Sequence, residues 1–228
     1  MKFHTFYTDD LPEQIVTDHR KCAEKFGIEV IYHSEKYINY DSTYTSHGKY
    51  MTKVLNESSD DVLCFLDIDS LIYDGDFLKN LYNWVNENKS FIGNAQNISH
   101  TVMRNRLYAA APMLIIHKKS WDILGNPNLN WFIQDHIQID TAQILSLRAD
   151  EIGFPYRLLY PIGYDGDNHR SLGTYGNYGT GTLYPGSYHY FRISDFKESI
   201  PDLWKTRVNN ILNNQKIIPN YSSCFYGL

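Results

Sequence analysis

Residues Val62 to Asp69 read V-L-C-F-L-D-I-D, five apolar residues running straight into two aspartates, Asp67 and Asp69, with Ile68 between them. An apolar run of this length suits a strand buried on both faces, and the change to acid marks where that strand leaves the core. A period of two would put both carboxylates on one side of the chain at that edge. Two anions so close repel, and apolar walls weaken the screening by solvent. The pair is tolerable when a cation sits between the two or one of them takes up a proton. Oxygen ligands favour hard divalent ions such as Mg²⁺ or Mn²⁺, which commonly bridge to nucleotide phosphates. The simpler alternative for Asp-x-Asp is a solvated turn or a helix cap before Ser70; the buried strand ahead of it favours the metal.

Outward from this stretch, helical and strand patterns alternate. Lys2 to Thr8 predicts a strand, and Asp10-Leu11-Pro12-Glu13 opens a helix with Asp10 as its cap. Ile15, His19, Cys22 and Phe26 follow at helical spacing until Gly27 stops them. Ile28 to His33 predicts a second strand, and about Thr43 to Asn56 a second helix burying Tyr50, Met51, Val54 and Leu55. Lys49 and Lys53 lie toward another face. After Asp69, Asp74 caps a third helix through Phe77, Leu81, Trp84 and Val85, and Ser90 to Asn94 is again strand-like. This order implies parallel strands joined by right-handed crossovers, with the acidic pair at the carboxyl edge where open α/β sheets bind ligands.

The second half is less regular. Pro112 to His117 predicts a strand, Ser120 to Leu124 a short helix, and Asp140 to Ile152 a longer helix ended by Gly153. Tyr156 to Tyr160 and Tyr188 to Ile193 predict strands, and Ile200 to Asn213 a final amphipathic helix through Leu203, Trp204, Val208, Ile211 and Leu212. Between Gly163 and Gly186 lies a Gly/Tyr/Asn/Thr-rich segment with no apolar period, read as a long loop that is either functional or disordered.

The 228 residues suffice for one α/β domain, without an internal repeat or linker. No apolar stretch spans a membrane, and Met1-Lys2-Phe3-His4 begins no signal peptide, so a cytoplasmic protein is expected. Cys22, Cys64 and Cys224 form neither a disulfide framework nor a zinc pattern, and Cys22 and Cys64 fit the core. A net charge of −5 with scattered basic residues argues against a nucleic-acid partner. The 19 tyrosines offer flat faces with hydroxyls, suited to sugars and bases.

With these residues placed, the chain resembles the GT-A glycosyltransferases, nucleotide-sugar-dependent enzymes whose metal motif is Asp-x-Asp. The matching features are Phe6-Tyr7-Thr8-Asp9-Asp10 after the first strand, Leu66-Asp67-Ile68-Asp69 after two β-α units, the Asp135 to Asp140 stretch before a helix, and a late strand bearing His189. The small size is similar to that of minimal GT-A domains of some viruses and bacteria. The resemblance implies a single Rossmann-like α/β domain over 1–228, with a mostly parallel sheet flanked by helices, a nucleotide-binding half (1–95), and an acceptor half (96–228) that holds an irregular C-terminal acceptor or lid region with the loop 163–186. It implies transfer from a nucleotide-diphosphate sugar, most readily a UDP-sugar, to a hydroxyl on a glycan or protein, with Mn²⁺ or Mg²⁺ as cofactor.

By position, Tyr7, Thr8 and Asp9 would hold base and ribose, Asp69 would bind the metal, and Asp67 would contact metal or ribose. His189 looks like the late histidine completing the metal site, with His169 as competitor. Lys53, Arg104, Arg106, Arg170 and Arg192 are the diphosphate cations on offer. Asp135 resembles the carboxylate near a late helix that serves catalysis, and Asp140 is the alternative, with a competing role as N-cap in a capping box with Gln143. Inversion and retention are both open. Two other readings compete. One is a haloacid-dehalogenase-type phosphatase, in which Asp67 attacks phosphorus and Asp69 is an acid. The other is a non-catalytic nucleotide-sugar or carbohydrate-binding protein of the same shape.

Overall fold

The computed structural model describes residues 1–36, 40–97, 107–134, 137–164, 169–171, 177–179, 181–190, 193, 199–217 and 221–222. The first half runs β1 (Lys2–Thr8), α1 (Glu13–Lys25), β2 (Glu29–Glu35), α2 (Tyr40–Glu57), β3 (Val62–Leu66), β4 (Ser70–Ile72), α3 (Gly75–Asn88) and β5 (Phe91–Asn97). The second half continues with β6 (Leu107–His117), α4 (Lys118–Ile123), β7 (Phe132–Gln134), β8 (Ile137–Ile139), α5 (Gln143–Ile152) and β9 (Arg157–Leu159). Five short strands and a helix follow: β10 (Gly163–Tyr164), β11 (His169–Ser171), β12 (Asn177–Gly179), β13 (Thr182–Tyr184), β14 (Ser187–His189), α6 (Asp202–Leu212) and then β15 (Tyr221–Ser222).

The main sheet has the order β2-β1-β3-β6-β5-β9. Its strands are parallel except β6, which runs antiparallel to both β3 and β5. An all-parallel β-α series does not foresee this strand, which enters between β3 and β5 and pairs antiparallel on both its edges. All five residues of β3 are buried, as its apolar run demands. They divide by the period of two: Leu63 and Phe65 pack with Met51, Leu55, Trp121 and Leu145 on one face, and Val62, Cys64 and Leu66 with Phe3, Leu78 and Val85 on the other.

The second sheet, β15-β10-β13-β14-β4, consists of strands of two or three residues and packs with α1 and α6 through Ile15, Leu71, Tyr188 and Trp204. The stretch from Gly163 to Gly186 is therefore not one structureless loop. It supplies β10 and β13 to this sheet and an antiparallel hairpin, β11 with β12. Main-chain pairing supplies what the apolar pattern lacks here.

Other boundaries also shift. Asp10 does not cap α1: Pro12 holds that position, and Asp10 Oδ1 accepts a hydrogen bond from Thr8 Oγ1 at 2.7 Å. Asp74 does cap α3, accepting from the Phe77 N–H at 3.0 Å. The late strand ends at His189 and not at Ile193. Cys22 and Cys64 are free and buried, whereas Cys224 lies outside the described residues.

Candidate metal centre

Asp67, Ile68 and Asp69 form the joint between the two sheets. β3 ends at Leu66, and a tight turn closed by the Ser70 N–H on the Asp67 carbonyl, at 3.0 Å, redirects the chain into β4. The aspartates thus sit on a turn and not on a strand extension, which corrects the period-of-two account of their proximity. β4 then pairs with β14 in the register His189↔Ser70, while the Tyr190 N–H donates to the Asp69 carbonyl at 2.7 Å. That pairing carries a histidine from far along the chain to the acidic turn.

Ligand atoms of Asp67, Asp69 and His189 all lie within 4.8 Å of one another. His189 Nε2 is 3.3 Å from Asp69 Oδ1, with the imidazole almost wholly enclosed at 2% exposure. Asp67 Oδ1 is buried and accepts no hydrogen bond among the described residues. Burial alone would lower the pKa of His189; the Asp69 and Asp67 carboxylates outweigh it and hold the pKa above the usual value. Burial, reinforced by Asp69 and partly offset by His189, pushes the Asp67 carboxyl up toward its neutral form. Two oxygen donors and one imidazole, gathered at a point where one carboxyl resists ionisation, fit a divalent cation that would restore the missing positive charge.

Two histidines outside the expected set belong to this neighbourhood. His47 on α2 places Nε2 3.2 Å from Asp67 Oδ1 and stacks on Phe6 with ring centroids 5.8 Å apart. Burial pulls its pKa down to about 4, against the opposing charges of Asp69 and Asp140. The available signal was its spacing: His47 shares a helical face with Tyr50, Met51 and Val54. His19, fully enclosed on α1, contacts the Tyr32 hydroxyl at 2.7 Å, and burial likewise lowers its pKa to about 4.

Asp140 is the acidic candidate that the fold brings toward the pair, since its charge acts on both Asp67 and His47. Tyr108 donates its O–H to Asp140 Oδ2 at 2.7 Å, and the Thr141 N–H donates to Oδ1 at 2.8 Å. The predicted helix start moves from Asp140 to Gln143. Ala142, at φ 64°, takes the N-cap position, and half of the expected capping box remains as the Asp140 N–H donating to Gln143 Oε1 at 2.8 Å.

Tyr7 and Asp9 line a cavity of about 280 Å³ with Glu13, Thr17, Arg20 and Ser34, at the carboxyl ends of β1 and β2. Thr8 turns its hydroxyl to Asp10. Lys53 is not brought to the aspartates; it is exposed on α2, 4.0 Å from Glu57. Asp135, Arg104, Arg106 and Arg192 lie outside the described residues, as do the side chains of His169 and Arg170.

No family model matches the sequence, and no curated protein matches it. Among solved structures, the galactosyltransferase LgtC, in complex with donor and acceptor sugar analogs, has a TM-score of 0.54 at 11% identity over 96% of this chain and 98% of its own. The catalytic domain of Drosophila β1,4-galactosyltransferase 7 with xylobiose has a TM-score of 0.46 at 10% identity, over 92% and 79%. A mutant of the same enzyme with manganese, UDP-Gal and xylobiose has 0.43 at 10% identity, over 88% and 81%. The architecture is a GT-A fold, a mixed α/β domain with a mostly parallel central sheet. No helix among the described residues is long and apolar enough to cross a membrane.

Proposed function

We propose that this chain is a metal-dependent glycosyltransferase, moving a sugar from a nucleotide-diphosphate sugar, UDP-sugars being the favoured donors, to a hydroxyl of a glycan or protein. The carrying observation is the gathering of Asp67, Asp69 and His189 at the joint of the two sheets. LgtC, which shares the fold, was crystallised with donor and acceptor sugar analogs, and that supports the same substrate class here.

Asp67, Asp69 and His189 would hold Mn²⁺ or Mg²⁺. Bound there, the ion supplies positive charge for the diphosphate as it leaves. Tyr7, Thr8 and Asp9 at the end of β1 would hold base and ribose, with the cavity lined by Tyr7 and Asp9 as the space for them. Asp140, held by Tyr108 and Thr141, would orient the sugar or accept a proton from the acceptor hydroxyl; its charge acting on Asp67 and His47 supports that role. Asp135 is the second candidate for that proton.

Calorimetric titration of Mn²⁺ and UDP-sugars tests this reading. Asp69→Ala and His189→Ala should each weaken metal and donor together, and the double variant should lose far less than the sum of the singles, as residues acting as one unit do. Equal affinity in His189→Ala and wild type would remove His189 and bring forward His169. Phosphate release without sugar transfer would favour the phosphatase, and metal-dependent binding with no product from any acceptor the binding protein.

A further inference from the structure

His47 touches Asp67 on a side that the metal trio does not use. The donor atoms of Asp67, Asp69 and His189 gather within 4.8 Å, and His47 does not join that group. Ligands on one ion at about 2.0–2.2 Å stand at most about 4.4 Å apart. A side chain outside the group therefore touches Asp67 without sharing one ion with all three ligands. Yet Nε2 of His47 is only 3.2 Å from Asp67 Oδ1, off the line of a hydrogen bond.

The position of this imidazole is built into the fold. Its ring lies nearly parallel to Phe6, at 12°. The next residue, Gly48, lets α2 approach the segment after α4 so closely that a Cβ there would stand 2.5 Å from the Leu129 oxygen and from the Asn130 Cα. Thr52 Oγ1, one turn on, accepts from the Leu129 N–H at 2.9 Å and donates to the Gly48 carbonyl at 2.8 Å. Stack, close approach and hydrogen bonds hold His47 in place with its edge toward Asp67.

The geometry points to His47 as a positioning residue that orients the Asp67 carboxylate for the cation, its Nε2–H turning into a hydrogen bond on that carboxylate when the ion is bound. Partners of ligating carboxylates tune affinity by about 10–100-fold. The inference rests on the proposed metal centre and extends it beyond its three ligands.

The test uses Mn²⁺ alone, counted as free ion by electron paramagnetic resonance, on the full chain. His47→Phe keeps the stack and removes the donor, and should weaken Mn²⁺ binding about 10–100-fold. His47→Gln returns an N–H near the Nε2 position and should recover affinity to within a few-fold of wild type, which a merely structural role would not do. If His47→Phe fails to fold, His47→Asn replaces it: its shorter amide cannot reach Asp67 and should lose affinity where Gln keeps it. Wild-type affinity in His47→Phe, or equal losses in Gln and Asn, overturns the inference while a loss in Asp69→Ala leaves the metal centre standing. Wild-type protein that binds no Mn²⁺ overturns both.

Discussion

The two sheets that meet at Asp67-Ile68-Asp69 are held by different means. In the main sheet, β3 and β6 are buried almost throughout and sandwiched between two apolar clusters. In the second sheet no strand exceeds three residues, and its framework leans on turns and single hydrogen bonds. Gly186, at φ 86°, closes the turn from β13 to β14, the Tyr73 hydroxyl donates to the Tyr184 carbonyl at 2.6 Å, and the Tyr184 hydroxyl donates to the Ala95 carbonyl at 3.2 Å. The carboxylates thus sit on the half-buried turn that ends a deep-core strand, and the buried imidazole ends a strand of only three residues. Damage to the main sheet should unfold the protein, whereas damage to the second should loosen the site first.

The largest effect belongs to the core. Phe65→Ala should cost about 3–5 kcal/mol in urea denaturation, the usual range for a buried phenylalanine. Leu183→Ala should cost less than that while weakening Mn²⁺ binding through β14; equal losses of stability in the two variants would break the comparison.

Acid should act on the main sheet next. Burial, with help from His33 and Lys2, holds His4 at a pKa of about 4 against 6.5 for a free imidazole. The unfolded chain therefore takes up the proton first, so this stability is intact above pH 6.5 and drains away as pH falls toward 4. His4→Phe should flatten the slope of stability against pH in this window, and an unchanged slope would acquit His4.

Gly186→Ala comes third. A Cβ there would lie 2.8 Å from Leu78 Cδ2 on a left-handed backbone, a strain of about 1–3 kcal/mol. The sharper reading is local: thermal melting should fall by only a few degrees, while hydrogen exchange at the β14 amides accelerates and that at β3 does not. Uniform acceleration in both strands would mean that the two sheets open together.

Asp74→Ala, at the start of α3, should remove the capping hydrogen bond at 3.0 Å to the Phe77 N–H and cost about 1 kcal/mol. A loss below about 0.3 kcal/mol in the same denaturation would show that solvent replaces the cap.

Legibility followed the same division between the sheets. The five residues of β3 were readable because a strand buried on both faces reads as a continuous apolar run, the end of β1 because Asp9-Asp10 follows it, and Asp74 because a carboxylate just before the first turn caps a helix. The helix through Trp204, Val208 and Ile211 was readable from its spacing. β10, β13 and β14 leave little periodicity to find, since strands of two or three residues are specified by their partners. The antiparallel course of β6 was hidden for a different reason: apolar burial is blind to strand direction.

At the site, sequence alone determined that two carboxylates stand where a buried strand ends, because the jump from five apolar residues to acid has few other meanings. It also offered His189 as a partner through family likeness. Only the tertiary structure decided that the aspartates lie on a turn between two sheets, that the pairing of β4 with β14 sets His189 beside Asp69, and that α2 delivers His47 to Asp67. These are contacts between residues far apart in the chain, and their energies depend on distances that local pattern does not encode.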